Sequence, residues 1–177
     1  MFNVLSRPPM YDQGAVQPMR DELIAVGFEE LLNPESVEKV IEANDDKTAL
    51  VFINSVCGCA AGSARPAISL ALQHSIIPDK LYTVFAGQER EAVDKVRRLV
   101  ISYPPSSPSI ALFKNGELLH FVPRSNIEGY SAGQIAENLT TIFDQYCSAK
   151  GPSITPEQFA QVEYAKSCGS KIPKFKE

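Results

Sequence analysis

Two cysteines separated by one glycine are the residues of this chain best placed to do chemistry. Cys57 and Cys59 follow an apolar, β-branched run at residues 48–53 and precede a helix-forming segment that begins near Ala60. A thiolate is the nucleophilic form of cysteine, and the unpaired N–H groups at a helix N-terminus lower the pKa of a nearby thiol. The position of the pair therefore predicts a redox-active thiol site.

The composition is that of one globular domain without the excess of basic residues that is typical of nucleic-acid binding. The chain has 177 residues, of which 44% are hydrophobic, enough for a substantial core. Its 17 basic and 21 acidic residues are mixed along the chain and give a formal net charge of −4, so nucleic-acid binding is not expected. The first nine residues lack the charged segment and apolar stretch of a secretory signal, so none is expected, and no apolar run approaches the roughly 18 residues of a membrane span. We expect a soluble, cytoplasmic protein with no membrane partner.

Four cysteines in a reducing compartment do not form a disulfide framework. Cys147 extends the apolar stripe of a helix, so a buried and inert thiol is expected there. Cys168 lies in a polar segment containing Gly and Ser, and a resolving role against Cys57 or Cys147 is one interpretation of it. A metal site would need all four cysteines, but the second pair lacks the spacing of a zinc knuckle. Metal binding is therefore the weaker alternative, and no cofactor is expected.

Alternating helices and strands position the cysteine pair. The pattern predicts these elements in order: a helical stretch at 18–26, a helix from Asn33-Pro34 to about 44, a strand at 48–53, a helix at 60–74 interrupted by Pro66, a strand at 81–86, a helix at 88–100, strands at 110–114 and 117–122, and a helix from Ser131 to 146. Asn115-Gly116 between two strand-like runs is a strong hairpin signal. Ser131 and Gln134 fit a capping box. The prediction is an α/β domain at 1–147 with a four-stranded mixed sheet flanked by helices, and a helical appendage at 148–177.

Several segments resemble one family in residue type and in order. They are Val16-Gln17-Pro18-Met19-Arg20, residues 54–62, Ala64-Arg65-Pro66-Ala67, residues 83–88, residues 103–109 and Asp144-Gln145-Tyr146-Cys147. Together they are similar to the bacilliredoxins, whose fold is that of thioredoxin, and the resemblance covers roughly residues 11–147. Several long motifs in one order make it specific, whereas a lone Cys-Gly-Cys would be a weak signal.

The resemblance implies a bacterial thiol–disulfide oxidoreductase that removes bacillithiol, a low-molecular-weight thiol, from mixed disulfides on client proteins. Cys57, nearer the strand end and so expected to be more exposed, would attack, and Cys59 would close on it or wait for an external thiol. The resemblance also implies a cis Pro108, with the Ser107 backbone beside the sulfurs to pair with a client. A disulfide between residues i and i+2 is strained, which predicts a poor general reductant.

Other readings of the same residues stay open. The chain could be a general protein disulfide isomerase or oxidoreductase with no small-thiol specificity, or a binding module whose thiols are incidental. Arg65 could lower the pKa of a sulfur or hold a carboxylate of the small thiol, although a solvated helix arginine is the favoured interpretation. His74 and His120 show no nucleophile–base spacing and are read as structural. No oligomeric state is predicted.

Overall fold

The fold is described for residues 6–164 in a computed structural model of the chain. Its helices are α1 (Gln13–Ile24), α2 (Pro34–Ile41), α3 (Arg65–Ala71), α4 (Arg90–Leu99), α5 (Ala132–Tyr146) and α6 (Pro156–Ala160). Its strands are β1 (Glu29–Glu30), β2 (Thr48–Asn54), β3 (Ile76–Ile77), β4 (Lys80–Phe85), β5 (Ser109–Lys114), β6 (Glu117–Val122) and β7 (Ala149–Lys150). A π-helical turn covers Ala60–Ala64, and a 3₁₀ turn covers Arg124–Asn126.

Strand β2, which leads into the cysteine pair, lies at the centre of the main sheet. The strand order is β1-β4-β2-β5-β6, with β2 parallel to β4 and antiparallel to β5. Every residue of β2 is buried, which explains why its sequence is a continuous apolar run instead of an alternating one. The sheet has five strands where the sequence predicts four. The fifth is β1, whose two glutamates carry no strand signal and pair at the edge with β4.

The order of elements is that of the thioredoxin fold, as the resemblance implies. Strand β2, the cysteine turn, α3, β4, α4, a cis-proline loop, the β5–β6 hairpin and α5 follow one another along the chain. Asn115 and Gly116 form the hairpin turn with φ values of 50° and 79°. Both lie in the left-handed region that a two-residue hairpin turn requires. The α/β class and the hairpin prediction are therefore confirmed.

Two layers of helices cover the two faces of the sheet. Leu50 and Phe52 of β2 point into a core formed with α3 and α5. Val51 and Ile53 point into a second core formed with α2 and α4. Because consecutive side chains of a strand face opposite ways, β2 contributes equally to both cores. The strand end that carries the cysteines is therefore held by packing on both sides.

One helix prediction is wrong and another is confirmed. Helix α1 begins at Gln13, behind an Asp12 cap, so Pro18 lies inside the helix instead of opening it. Helical backbone runs without a break from residue 58 into α3, so Pro66 lies within it as predicted. The helix is irregular just before Pro66, where Ala60–Ala64 form a π-helical turn.

Residues 148–164 dock against the end of α3 and the short strand β3. Strand β7 pairs with β3, and the N–H of Ser153 donates to the carbonyl of Leu72 at 2.9 Å. A Cβ on Gly151 would stand 2.0 Å from the carbonyl oxygen of His74, so only glycine permits this approach. Thr155 caps helix α6. None of the helices in the described part has the length and apolarity to cross a membrane.

Candidate active site

Cys57 stands at the first turn of the helix that follows β2. Its carbonyl accepts hydrogen bonds from the N–H groups of Ala60 and Ala61, at 3.1 and 3.2 Å. Its own N–H donates to Oγ of Ser55 at 3.1 Å. The sequence places the residue there because an apolar strand ends at Asn54 and helical backbone resumes at residue 58. The sulfur therefore lies at the positive end of the helix, where a thiolate is stabilised.

The environment of Cys57 favours its ionised form. Burial of the sulfur opposes ionisation, yet the pKa of Cys57 is lowered from its ordinary value of 9.0. The opposing causes are hydrogen bonds from the Cys59 thiol, the Ser55 hydroxyl and the Ala60 N–H, together with the positive charge of Arg124. Each of these stabilises negative charge on sulfur. Cys57 is therefore ionised more easily than an ordinary thiol.

Cys59 has the opposite character. Burial, followed by its hydrogen bond to Cys57 and the negative charge there, raises the pKa of Cys59 to about 11. Both cysteines are free thiols of intermediate exposure, so the prediction that Cys57 is the more exposed of the two does not distinguish them. The difference between their pKa values separates them instead. Gly58 between them is exposed and helical, so it needs no left-handed backbone.

Arg124 is a part of the site that sequence reasoning missed. It opens the 3₁₀ turn after β6, and its N–H donates to Oγ of Ser106 at 3.3 Å. Its guanidinium pairs with Glu128 at 3.2 Å on the surface, and its charge acts on both sulfurs. A signal for it was present in the sequence. A hairpin paired to β2 through β5 brings the residue after its second strand back to the strand end that holds the cysteines.

The proline loop lies beside the same strand end. The Ser107–Pro108 peptide bond is cis, which confirms that prediction. Ser109, the next residue, pairs with Ile53 near the end of β2, and its hydroxyl donates to the carbonyl of Ser106 at 3.0 Å. The substrate-binding role predicted for Ser107 and Pro108 stays a prediction.

Arg65 is not the solvated helix arginine that the sequence favours. Its side chain is fully buried, and Nε donates to the carboxylate of Glu22 at 2.9 Å. Nη1 donates to Oδ1 of Asn54 and to the carbonyl of Ser55, at 3.1 and 3.0 Å. Sequence reasoning missed this because Glu22 lies on α1, far along the chain. An internal carboxylate, not a carboxylate of the substrate, is its ion-pair partner.

The remaining candidates lie apart from the pair. Cys147 is the C-cap of α5 and is only partly buried, whereas the sequence predicts a buried thiol there. This partial burial raises its pKa to about 11. His74 pairs with Asp144 at 2.7 Å, and burial lowers the pKa of His120 on β6. Cys168, with its predicted resolving role, lies outside the described residues. Within residues 6–164, no three His, Cys, Asp or Glu side chains are grouped so that they could hold a metal ion.

Comparison with known proteins places this site in a family context. The sequence model of a family described as "Disulphide isomerase" matches residues 11–147. A bacilliredoxin of Geobacillus kaustophilus is 51% identical over 138 residues, which are 77% of this chain and 94% of that protein. A bacilliredoxin of Cytophaga hutchinsonii is 51% identical over 136 residues, 77% of this chain and 99% of that protein. Oxidised thioredoxin O2 of Arabidopsis thaliana superposes with a TM-score of 0.44 at 16% identity, covering 67% of this chain and 96% of that one.

Proposed function

The chain belongs to the bacilliredoxin family of thiol–disulfide oxidoreductases, and we propose that it removes a low-molecular-weight thiol of the bacillithiol type from mixed disulfides on client proteins. The observation that carries the proposal is that the pKa values of the two thiols are shifted in opposite directions. The pKa of Cys57 is lowered and that of Cys59 is raised to about 11. Thiol exchange needs one attacking thiolate and a second thiol held in reserve. The reaction belongs in the cytoplasm, where protein thiols are kept reduced.

The first step is attack by the Cys57 thiolate on the sulfur of the small thiol in the mixed disulfide. The bond between the small thiol and the client breaks, and a bond between Cys57 and the small thiol forms. The client sulfur leaves as a thiolate and takes a proton from solvent. One disulfide replaces another, so the client is reduced while Cys57 carries the adduct.

The second step clears the adduct. After losing its proton to solvent, Cys59 attacks Sγ of Cys57, which forms the Cys57–Cys59 disulfide and expels the small thiol as a thiolate. Burial is the main cause of the high pKa of Cys59, and the charge on Cys57 is a further one. The adduct on Cys57 carries no thiolate charge, so the pKa of Cys59 falls at the point where its thiolate is needed. Two further thiol molecules then reduce the pair. The first attacks the Cys57–Cys59 disulfide and forms a mixed disulfide, and the second displaces the first, so the two leave joined as a disulfide and both cysteines are thiols again.

Arg124 supports specificity for a small anionic thiol. Its guanidinium acts on both sulfurs, and its surface ion pair with Glu128 is exposed. Exposed ion pairs contribute little to stability, about 0–1 kcal/mol, so a ligand carboxylate can compete for the guanidinium. A thiol that carries a carboxylate would be oriented by Arg124 with its sulfur toward Cys57.

Ser107 and Pro108 are proposed to hold the client. An extended client segment would hydrogen-bond to the Ser107 backbone while Cys57 attacks the sulfur. The register of β5 against β2, which pairs Ser109 with Ile53, supports this role because it brings the loop to the end of β2.

A second candidate function is general disulfide isomerisation with no preference for the small thiol. The match to a family described as "Disulphide isomerase" favours it. An isomerase needs the same nucleophile at Cys57 but no site for a ligand anion. The two candidates therefore differ at Arg124 and not at the cysteines.

The test uses one client protein with a single cysteine, modified in separate samples with bacillithiol, glutathione or β-mercaptoethanol. Release of each thiol is followed by mass spectrometry, and refolding of a scrambled disulfide protein is measured alongside. We expect the fastest release from the bacillithiol adduct. Equal rates for all three adducts, together with efficient refolding of the scrambled protein, would favour the general isomerase.

A further inference from the structure

A buried ion pair lies directly behind the cysteine turn. Glu22 on α1 and Arg65 at the start of α3 are both fully buried, and their side chains meet at 2.9 Å. A buried ion pair is weak support for stability, because removing two charges from water costs as much as their attraction returns. The thiol exchange described above does not use either charge. The pair therefore calls for a role beyond holding α1 against α3.

The Nη1 group of Arg65 contacts the backbone segment that leads to Cys57. Nη1 donates to the carbonyl of Ser55 at 3.0 Å and to Oδ1 of Asn54 at 3.1 Å. The same Oδ1 accepts the N–H of Ser55 at 2.8 Å. Nδ2 of Asn54 in turn donates to the carbonyl of Met19 on α1 at 3.1 Å. Both the N–H and the carbonyl of Ser55 are thus fixed by a network anchored in two helices.

Ser55 connects this hydrogen-bond network to Cys57. Its Oγ accepts the N–H of Cys57 at 3.1 Å, and its hydroxyl is one of the groups that stabilise the Cys57 thiolate. Ser55 is only 6% exposed, so its side chain is confined. A shift of the Ser55 backbone would therefore move the hydroxyl away from the sulfur.

We propose that Arg65 is a positioning residue for Cys57, acting through Ser55: its guanidinium, held by Glu22, fixes the turn that presents the sulfur. The proposal rests on the proposed function only in taking Cys57 as the attacking group. Arg65 acts by geometry, because the carboxylate of Glu22 balances its charge inside the core. The cation whose field reaches the sulfurs is Arg124.

Lysine cannot take over this arrangement. The planar guanidinium holds Glu22 with Nε while Nη1 holds the turn, whereas an ammonium group is a single point of charge on a flexible stem. Arg65→Lys therefore keeps the buried charge and breaks the geometry. Arg20 offers a matched control, because it is a second buried arginine, 8% exposed in its side chain, and pairs with Glu30 and Glu89 instead of with the turn.

The experiment measures iodoacetamide alkylation of Cys57 between pH 5 and 10, resolved by peptide mass mapping, in wild type, Arg65→Lys and Arg20→Lys. Loss of the Ser55 hydrogen bond should raise the midpoint of the Cys57 profile by about half to one pH unit, which slows alkylation at pH 7 about three- to tenfold. Arg20→Lys should lower the melting temperature but leave the Cys57 profile in place. A folded Arg65→Lys with the wild-type profile would overturn the proposal.

Ser55→Ala keeps the inference testable if Arg65→Lys does not fold. It removes only the last link and leaves the buried ion pair intact. A raised midpoint is expected here also, and an unchanged profile would overturn the proposal by itself. The two proposals fail in different ways. If wild-type Cys57 alkylates like an ordinary thiol, the proposed function is contradicted. If the wild-type midpoint of the Cys57 alkylation profile is low but neither Arg65→Lys nor Ser55→Ala moves it, only the positioning role of Arg65 is contradicted.

Discussion

Two cysteines of this chain occupy opposite ends of helices. Cys57 opens the helix that follows β2, and Cys147 is the C-cap of α5. Both are partly buried free thiols. The pKa of Cys57 is nevertheless lowered, while burial and the charge of Asp79 raise that of Cys147 to about 11, against one favourable hydrogen bond from Thr48.

Burial disfavours ionisation at both cysteines, so the contrast comes from what surrounds each sulfur. At Cys57 an N–H group, a hydroxyl, a second thiol and a guanidinium outweigh burial. At Cys147 the nearby charge is negative, and the helix presents its carbonyl end. The pKa values of these two thiols therefore differ through the groups around each sulfur, since both residues have intermediate exposure.

The largest expected effect comes from replacing each cysteine with serine. Cys57→Ser should reduce release of the small thiol from a modified client to the uncatalysed rate, because the attacking sulfur is gone. Cys147→Ser should retain the wild-type rate within about twofold, since surface and inert positions rarely alter function. Both rates come from one mass-spectrometric release assay. Full activity in Cys57→Ser would reverse the roles assigned to the two regions.

Next in size is the effect of removing the second thiol of the pair. Cys59→Ser and Cys59→Ala should both accumulate the small-thiol adduct on Cys57, visible by intact mass, because residues 6–164 place no other thiol beside Cys57 to clear it. The serine variant keeps an O–H donor toward Cys57, so its Cys57 midpoint should stay below that of the alanine variant. Absence of a trapped adduct in both variants would point to clearance by another thiol, with Cys168 the sequence-predicted candidate.

A smaller effect is expected at Arg124. Arg124→Gln should raise the Cys57 midpoint by up to about one unit, a tenfold smaller thiolate fraction at neutral pH, because a positive charge near the sulfurs is lost. The KM for a carboxylate-bearing adduct should rise more than that for a β-mercaptoethanol adduct. Arg98→Gln, an exposed arginine on α4 that lines a different cavity, serves as control. Equal KM changes for both adducts would remove Arg124 from substrate recognition.

The smallest effect concerns stability at high pH. The folded state holds Cys147 as a neutral thiol, with a pKa of about 11 against an ordinary 9.0. The resulting stabilisation is complete below about pH 9 and is lost as the pH rises toward 11. Wild type should therefore lose more unfolding free energy than Cys147→Ser between pH 8 and 11, in urea titrations. Parallel losses in the two proteins would show that Cys147 is not held neutral by the fold.

The sequence predicted the regular elements well because their signals are local. Asn33 and Ser131 cap helices as expected, and the Asn115-Gly116 turn forms the hairpin. What it missed depends on contacts between distant segments. Strand β1 forms by pairing with the edge of β4. Strands β3 and β7 have two residues each and form by pairing with each other.

The candidate site shows the same difference between features with local signals and features that depend on distant contacts. The cysteine pair could be placed from the strand before it and the helix after it. The surroundings that set its chemistry could not, because Arg124 arrives through the hairpin and Arg65 finds Glu22 on another helix. A charged residue inside a helix pattern is usually solvated, and only the fold shows that Arg65 is buried.

The most direct test of the account compares Cys57 and Cys147 in one native sample. Alkylation with iodoacetamide, mapped to each residue by mass spectrometry across pH 5 to 11, gives two titration curves from the same molecule. The account predicts that Cys57 reaches its plateau with a midpoint clearly below 9.0, while Cys147 is still rising toward about 11. Superimposable curves for the two thiols would contradict it.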